Sequence, residues 1–100
     1  MAHVRRCNDA AVPAYVTRKG AQQSGTVLLK LNRFDLGCRV LTQSRDLDGR
    51  LAWLPALGGS TVPEVDADAY IRRAIERDPD IWVVEIEHLD GWHPFDGAEL

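Results

Sequence analysis

His88, Asp90 and His93 come nearest, by type and spacing, to a reactive site in this 100-residue chain. H-x-D-x-x-H supplies three N/O donors, and three such ligands with an open fourth position suit zinc or another divalent ion. The spacing matches no recurrent zinc arrangement, however. It also straddles the end of an extended run and the Asp90-Gly91 turn, so two turn histidines are the favoured reading. Asp46, Asp48 and Gly49 imitate part of a calcium loop. Aligned on Gly49, Ser44 stands where the first aspartate belongs and Pro55 where the closing glutamate belongs. Asp78, Asp80, Glu85 and Glu87 could supply paired carboxylates for proton transfer. The first two flank Pro79 in a turn, where acids are common. Glu85 and Glu87 lie on a strand face that is losing its apolar cover.

Ser24, Ser44 and Ser60 lack the context of a nucleophile elbow, and no glycine-rich stretch has a phosphate-loop pattern. Cys7 and Cys38 form no C-x-x-C pair and read as small buried side chains. No cofactor, metal or catalytic set is therefore expected, and enzyme activity is not the favoured reading.

Arginine and tryptophan give a different lead. Arg33, Arg39 and Arg45, with Phe34 and Trp53 near them in sequence, could build a basic sheet face that stacks single-stranded bases. Against this, Trp53 could be core and the arginines solvated, and an acidic chain starts poorly for nucleic acid. The same residues suit a protein interface, where Trp and Arg concentrate. Three tryptophans in so short a chain is more than one small core needs. The candidate interaction residues are Arg39, Arg45, Trp53, Glu85 and Glu87.

Composition bounds these readings. With 45% hydrophobic and 27% charged residues the chain reads as one globular domain, residues 1–100. No apolar run is long enough for a membrane helix and the N-terminus has no secretory apolar core, so a cytoplasmic protein is expected. The net charge of −3 hides an asymmetry. Residues 1–50 hold nine Lys/Arg against four Asp/Glu, and residues 51–100 hold three against eleven. Nucleic acid on the basic half or self-association of unlike halves would use this split; mixing on the folded surface would cancel it.

The elements that must position these residues follow from periodicity. Val4, Cys7 and Ala11 fit a short N-terminal helix over residues 2–11. Strands follow at Ala14–Arg18, Gly25–Asn32, Cys38–Ser44 and Arg50–Leu54, the last two joined by a type I′ turn at Asp48-Gly49. These four read as an antiparallel meander. Ala67, Tyr70, Ile71, Ala74 and Ile75 make the apolar stripe of a helix that ends near Arg77. Thr61 and Glu64 have capping-box spacing, with Asp66 as a rival cap. The densest β-forming run, Ile81–Ile86, then reads as a central strand: Trp82, Val84 and Ile86 on one face, Ile81, Val83, Glu85 and Glu87 on the other. Beyond Gly91 the tail has no period, with Trp92 and Phe95 as the residues able to pack back. The expected fold is α+β, a mostly antiparallel sheet of about five strands packed by one amphipathic helix, with the short N-terminal helix.

Arg5-Arg6-Cys7, PAYVTRKG, SGTVLLKLNR, QSRDLDGRLAW and above all DPDIWVVEIEHLDG (Asp78–Gly91) together resemble domain-of-unknown-function family 1491, small proteins found chiefly in alphaproteobacteria. The resemblance runs from about Val4 to Gly97. It implies an α+β cytoplasmic protein without an assigned activity, and it carries over no functional residues. Similar proteins usually have a longer first helix, reaching back before Arg5; this chain starts inside it. The expected function is a non-enzymatic interaction or assembly module that self-associates or binds another protein. Weak nucleic-acid binding is the alternative, and a small metal-dependent enzyme comes third.

Overall fold

A computed structural model describes residues 12–22, 25–93, 95 and 97–100. The expected N-terminal helix, with Cys7, falls outside them, as does Ser24. The described chain is α+β. Strands β1 (Ala14–Arg18), β2 (Val27–Asn32), β3 (Cys38–Arg45) and β4 (Leu51–Pro55) precede helix α1 (Glu64–Arg77). Strands β5 (Trp82–Glu87) and β6 (Ala98–Glu99) follow it. Together they form one six-stranded sheet in the order β1-β5-β2-β3-β4-β6.

The meander holds only for β2, β3 and β4. β5 enters between β1 and β2, antiparallel to the first and parallel to the second. The reason is visible in its residues. Ile81, Val83, Val84 and Ile86 are all buried, so the strand needs cover on both faces and a neighbour on each side. A chain that reaches β5 through a helix packed on the sheet arrives parallel to β2, as crossover connections require.

α1 lies on one face of this sheet. Ala67, Ile71 and Ala74 pack against Leu28, Cys38, Val40, Ile81 and Val83, with Tyr70 and Ile75 at the margin. The other face gathers Leu29, Leu31, Leu41, Trp53, Val84 and Ile86, against which Val12 and Phe95 pack. The helix starts without the expected box: Pro63 is its N-cap residue and no side chain caps it. Thr61 instead accepts a hydrogen bond from Arg33, and Glu64 is drawn to Lys30.

One turn and the tail also depart from expectation. Between β3 and β4 only Gly49 takes positive φ, so the hairpin is not type I′. Asp46 Oδ1 accepts the amides of Asp48 and Arg50, and the Gly49 amide returns to the Asp46 carbonyl. That is a three-residue loop closed by a left-handed glycine. The tail is not without structure either, since Ala98–Glu99 adds to β4 in parallel.

Trp82 is only half-buried, and its indole N–H donates to the Ala21 carbonyl at 2.6 Å. A Cβ on Gly25 would stand 2.6 Å from that indole. Only glycine lets the loop backbone come so close. Among the described residues no helix is long and apolar enough to cross a membrane.

Candidate functional site

Polar side chains converge where β2 and β5, running in parallel, reach their C-terminal ends beneath the first turns of α1. Lys30 is the hub. It lies on the helix face of β2, in register with Glu85 on β5, and is only 6% exposed. Its Nζ is 2.8 Å from Glu64 Oε2, 2.7 Å from Asp68 Oδ1 and 3.4 Å from Glu85 Oε1. Glu64 and Asp68 are four residues apart on α1, so one helix face delivers both carboxylates. Burial alone would favour the neutral amine. Hydrogen bonds to Asp68 and Glu64 and the charge of Glu85 outweigh it and drive the Lys30 pKa above the ordinary lysine range.

The network extends along the strand ends. Glu85 Oε2 accepts a hydrogen bond from Asn32 Nδ2 at 3.1 Å, and Asn32 Oδ1 accepts the Phe34 amide at 2.9 Å. That second bond supports Phe34 at φ 58°, an uncommon conformation for an aromatic residue. Glu87 faces Tyr15 on β1. Its charge, with burial and a hydrogen bond adding to it, pushes the Tyr15 phenol up. Arg33 Nε donates to the Leu89 carbonyl at 2.8 Å and its Nη1 to Thr61 Oγ1 at 2.8 Å. Chemically, this is a clamp. An ammonium held cationic by three carboxylates is neither nucleophile nor base, and it ties helix to sheet.

The candidate interaction residues do not form one patch. Glu85 and Glu87 belong to this strand-end network. Arg39, on β3, makes a two-pronged ion pair with Glu99 of β6, Nη2 to Oε2 at 2.6 Å and Nη1 to Oε1 at 3.2 Å. That pairing holds the Glu99 carboxyl below its usual range. Arg45 is exposed, and Nη1 reaches the Gly49 carbonyl at 3.4 Å. With Asp46, Leu47, Asp48 and Leu100 it borders a shallow cavity of about 420 Å³. Trp53 is 1% exposed, so the expectation of an exposed tryptophan among arginines fails at this residue. Its ring meets His93 and Phe95 edge-on, with centroids 6.0 and 5.7 Å away.

The other candidates separate as well. His88 Nδ1 accepts the Asp90 amide and its ring leans on Trp92, whereas His93 Nδ1 accepts the Phe95 amide against Trp53. Among the described residues no three His, Cys, Asp or Glu side chains gather as metal ligands. Asp78 Oδ1 accepts the Asp80 amide at the exit of α1, and Glu85 and Glu87 sit at the far end of β5. Cys38 is buried, which pushes its thiol up and away from reactivity.

Sequence reading missed two things. Alternation along β2 sets Lys30 with Thr26 and Asn32 on a polar face, yet Leu28, the one residue breaking that alternation, lies on the same face. An apolar residue on the polar face of a strand was the available signal that both faces are covered. The second omission is a set of exposed apolar side chains at the same strand ends: Phe34, Leu36, Leu89 and Trp92, at 52, 56, 55 and 39% exposure. They bracket Arg33, and no periodicity could group two separate turns.

Comparison with known proteins places this architecture. No curated protein matches the chain. A crystal structure of a DUF1491 family protein from Caulobacter crescentus is 37% identical, covering 99% of this chain and 92% of that one, with a TM-score of 0.87. An NMR structure of a DUF1491 family protein from the same organism is 40% identical over 99% and 90% of the two chains, with a TM-score of 0.82. A solution structure of a protein from A. tumefaciens shares the fold, at 24% identity over 87% and 79% of the chains and a TM-score of 0.72. The model of the family described as "Protein of unknown function (DUF1491)" matches residues 1–96, and the chain belongs to that family.

Proposed function

We propose that this protein is a non-enzymatic interaction module of the cytoplasm that assembles with copies of itself. The observation that carries the reading is the apolar set at the strand ends. Phe34 and Leu36 project from the turn after β2, Leu89 and Trp92 from the turn after β5, and all four are exposed around Arg33. Large apolar side chains gathered at one end, a tryptophan among them, beside an arginine have the composition of an interface centre. The sheet edges favour this end over edge-to-edge pairing. β1 is flanked by Pro13 and Lys19 and has a register shift between Val16 and Arg18, while β6 is two residues long. Such features blunt strand edges.

Nucleic-acid binding has less to rest on, because four of the described cations of the basic half have partners within the chain. Lys30 has three carboxylates, Arg39 has Glu99, Arg33 has Leu89 and Thr61, and Arg18 donates to the Pro79 carbonyl. Light scattering across a concentration series tests the proposal. Mass should rise toward a dimer for the native chain and stay at the monomer for Trp92→Ala with Leu36→Glu. A native chain that remains strictly monomeric at every concentration sinks it.

A further inference from the structure

β4 carries an edge that another strand completes. Ala98 and Glu99 pair in parallel with Ala52 and Trp53, and the Leu100 amide donates to the Trp53 carbonyl at 2.8 Å. Specificity comes from charge. Arg39, reaching across from β3, grips both oxygens of Glu99. The docked segment therefore displays its own recognition rule: an extended strand with a carboxylate at the position facing Arg39. It is also a small ligand, since two residues of ladder and one half-exposed ion pair hold little free energy.

We propose that this groove exchanges its occupant between copies, the Ala98–Leu100 segment of each chain docking on β4 of the other. The inference rests on the self-association reading above and gives it a mechanism. Ala98 lies eleven residues beyond Glu87, the end of β5. Eleven extended residues reach roughly 36 Å, comparable with the longest dimension of the molecule, 33 Å. Gly91 and Gly97, both at positive φ, sit at either end of that connection and supply positions where the chain can change course. The connection begins at Gly91, beside Leu89 and Trp92, and its His93 and Phe95, packed on Trp53, move with the segment when it exchanges and dock on Trp53 of the other copy. A chain that crosses to a neighbour there brings the exposed apolar end of the molecule to that neighbour. Exchange of an identical element is a low-cost route to a dimer because it reuses contacts the monomer already makes.

The test reverses charge on each half of the groove. In Arg39→Glu, groove and tail are both acidic; in Glu99→Arg, both are basic. Neither copy can then satisfy itself, in cis or with its own kind, which removes the advantage that a short connection gives to docking within one chain. Mixed 1:1, each tail meets a groove of opposite charge only in the other copy. Each variant alone should have monomer mass by light scattering, and the mixture should show a twofold mass at the same total concentration. The Arg39→Glu, Glu99→Arg double variant restores pairing within one chain and, by circular dichroism and mass, should match the native protein, so misfolding is separated from loss of exchange. A mixture that keeps monomer mass overturns the exchange. If native chain and both single variants all dimerise alike, exchange falls but self-association through the apolar end stands. If neither native chain nor mixture exceeds monomer mass, both readings fall.

Discussion

The two faces of the sheet are buried by different means. On the face away from α1, Leu29, Leu31, Leu41, Val84, Ile86 and the ring of Trp53 pack as an apolar layer. On the helix face the apolar layer of Leu28, Val40 and Val83 adjoins Lys30, sunk to 6% exposure beneath two helix carboxylates and one strand carboxylate. The hydrophobic driving force is non-directional, whereas an ammonium that must meet Glu64, Asp68 and Glu85 together fixes where α1 sits along β2 and β5. Both faces supply apolar burial; the second also supplies position. Buried ion networks often add little net stability against an apolar replacement, yet are costly to break from one side.

That contrast makes ordered predictions. Trp53→Ala should be the most damaging, since it removes the largest fully buried side chain. A loss of about 3–5 kcal/mol is expected in chemical denaturation; a loss under about 2 kcal/mol would mean that the apolar face does not depend on this ring. Lys30→Met should follow, at about 3 kcal/mol, because Glu85, its side chain 17% exposed, is left with Asn32 but without its cation. Adding Glu85→Leu to Lys30→Met should return most of that loss, Glu64 and Asp68 being half-exposed and able to hydrate. If the double variant is no better than Lys30→Met alone, burial of an unpaired carboxylate is not the source of the cost. Smaller still are Glu64→Gln and Asp68→Asn, at roughly 1 kcal/mol or less each, as befits half-exposed partners.

The same contrast explains what could be read from residues alone. Apolar periodicity describes faces, so β1 to β5, α1 and its stripe were legible with ends one or two residues out. Partnership across the sheet was not. Nothing local to β1 says that it pairs with β5 rather than β2, because the pairing is set by the crossover of α1. Ile81–Ile86, apolar on both faces, did announce an interior strand. The strand-end acids stood out because an apolar face turned acidic without a partner, and the partner of Glu85, Lys30, sits among the polar residues of an alternating strand, where nothing local marks it as buried. Arg39 was chosen for its neighbours in sequence; its actual partner, Glu99, is sixty residues away in a tail whose two-residue strand has no period to detect.

The smallest effect expected is local and concerns how the tail is held over Trp53. His93 packs there with its Nδ1 occupied by the Phe95 amide, so the docked ring carries its proton on Nε2 and is neutral. Burial lowers its pKa from the ordinary histidine value; Glu99 pulls it up and Arg39 pushes it down. With the docked value depressed, an undocked tail binds a proton first. The contribution of His93 to docking is therefore complete above about pH 6.5 and is lost as pH falls from there toward the docked value. Glu99, held below the usual carboxylate range by Arg39, stays ionised through that window, so the ion pair does not confound the change. Amide resonances of Leu100 and Trp53, followed by NMR from pH 7.5 to 5.5, should shift together in the native chain and hold still in His93→Phe. Equal shifts in both would assign the response to another group. A response spreading to Lys30 and α1 would break the contrast drawn here, since the two faces would then share one equilibrium.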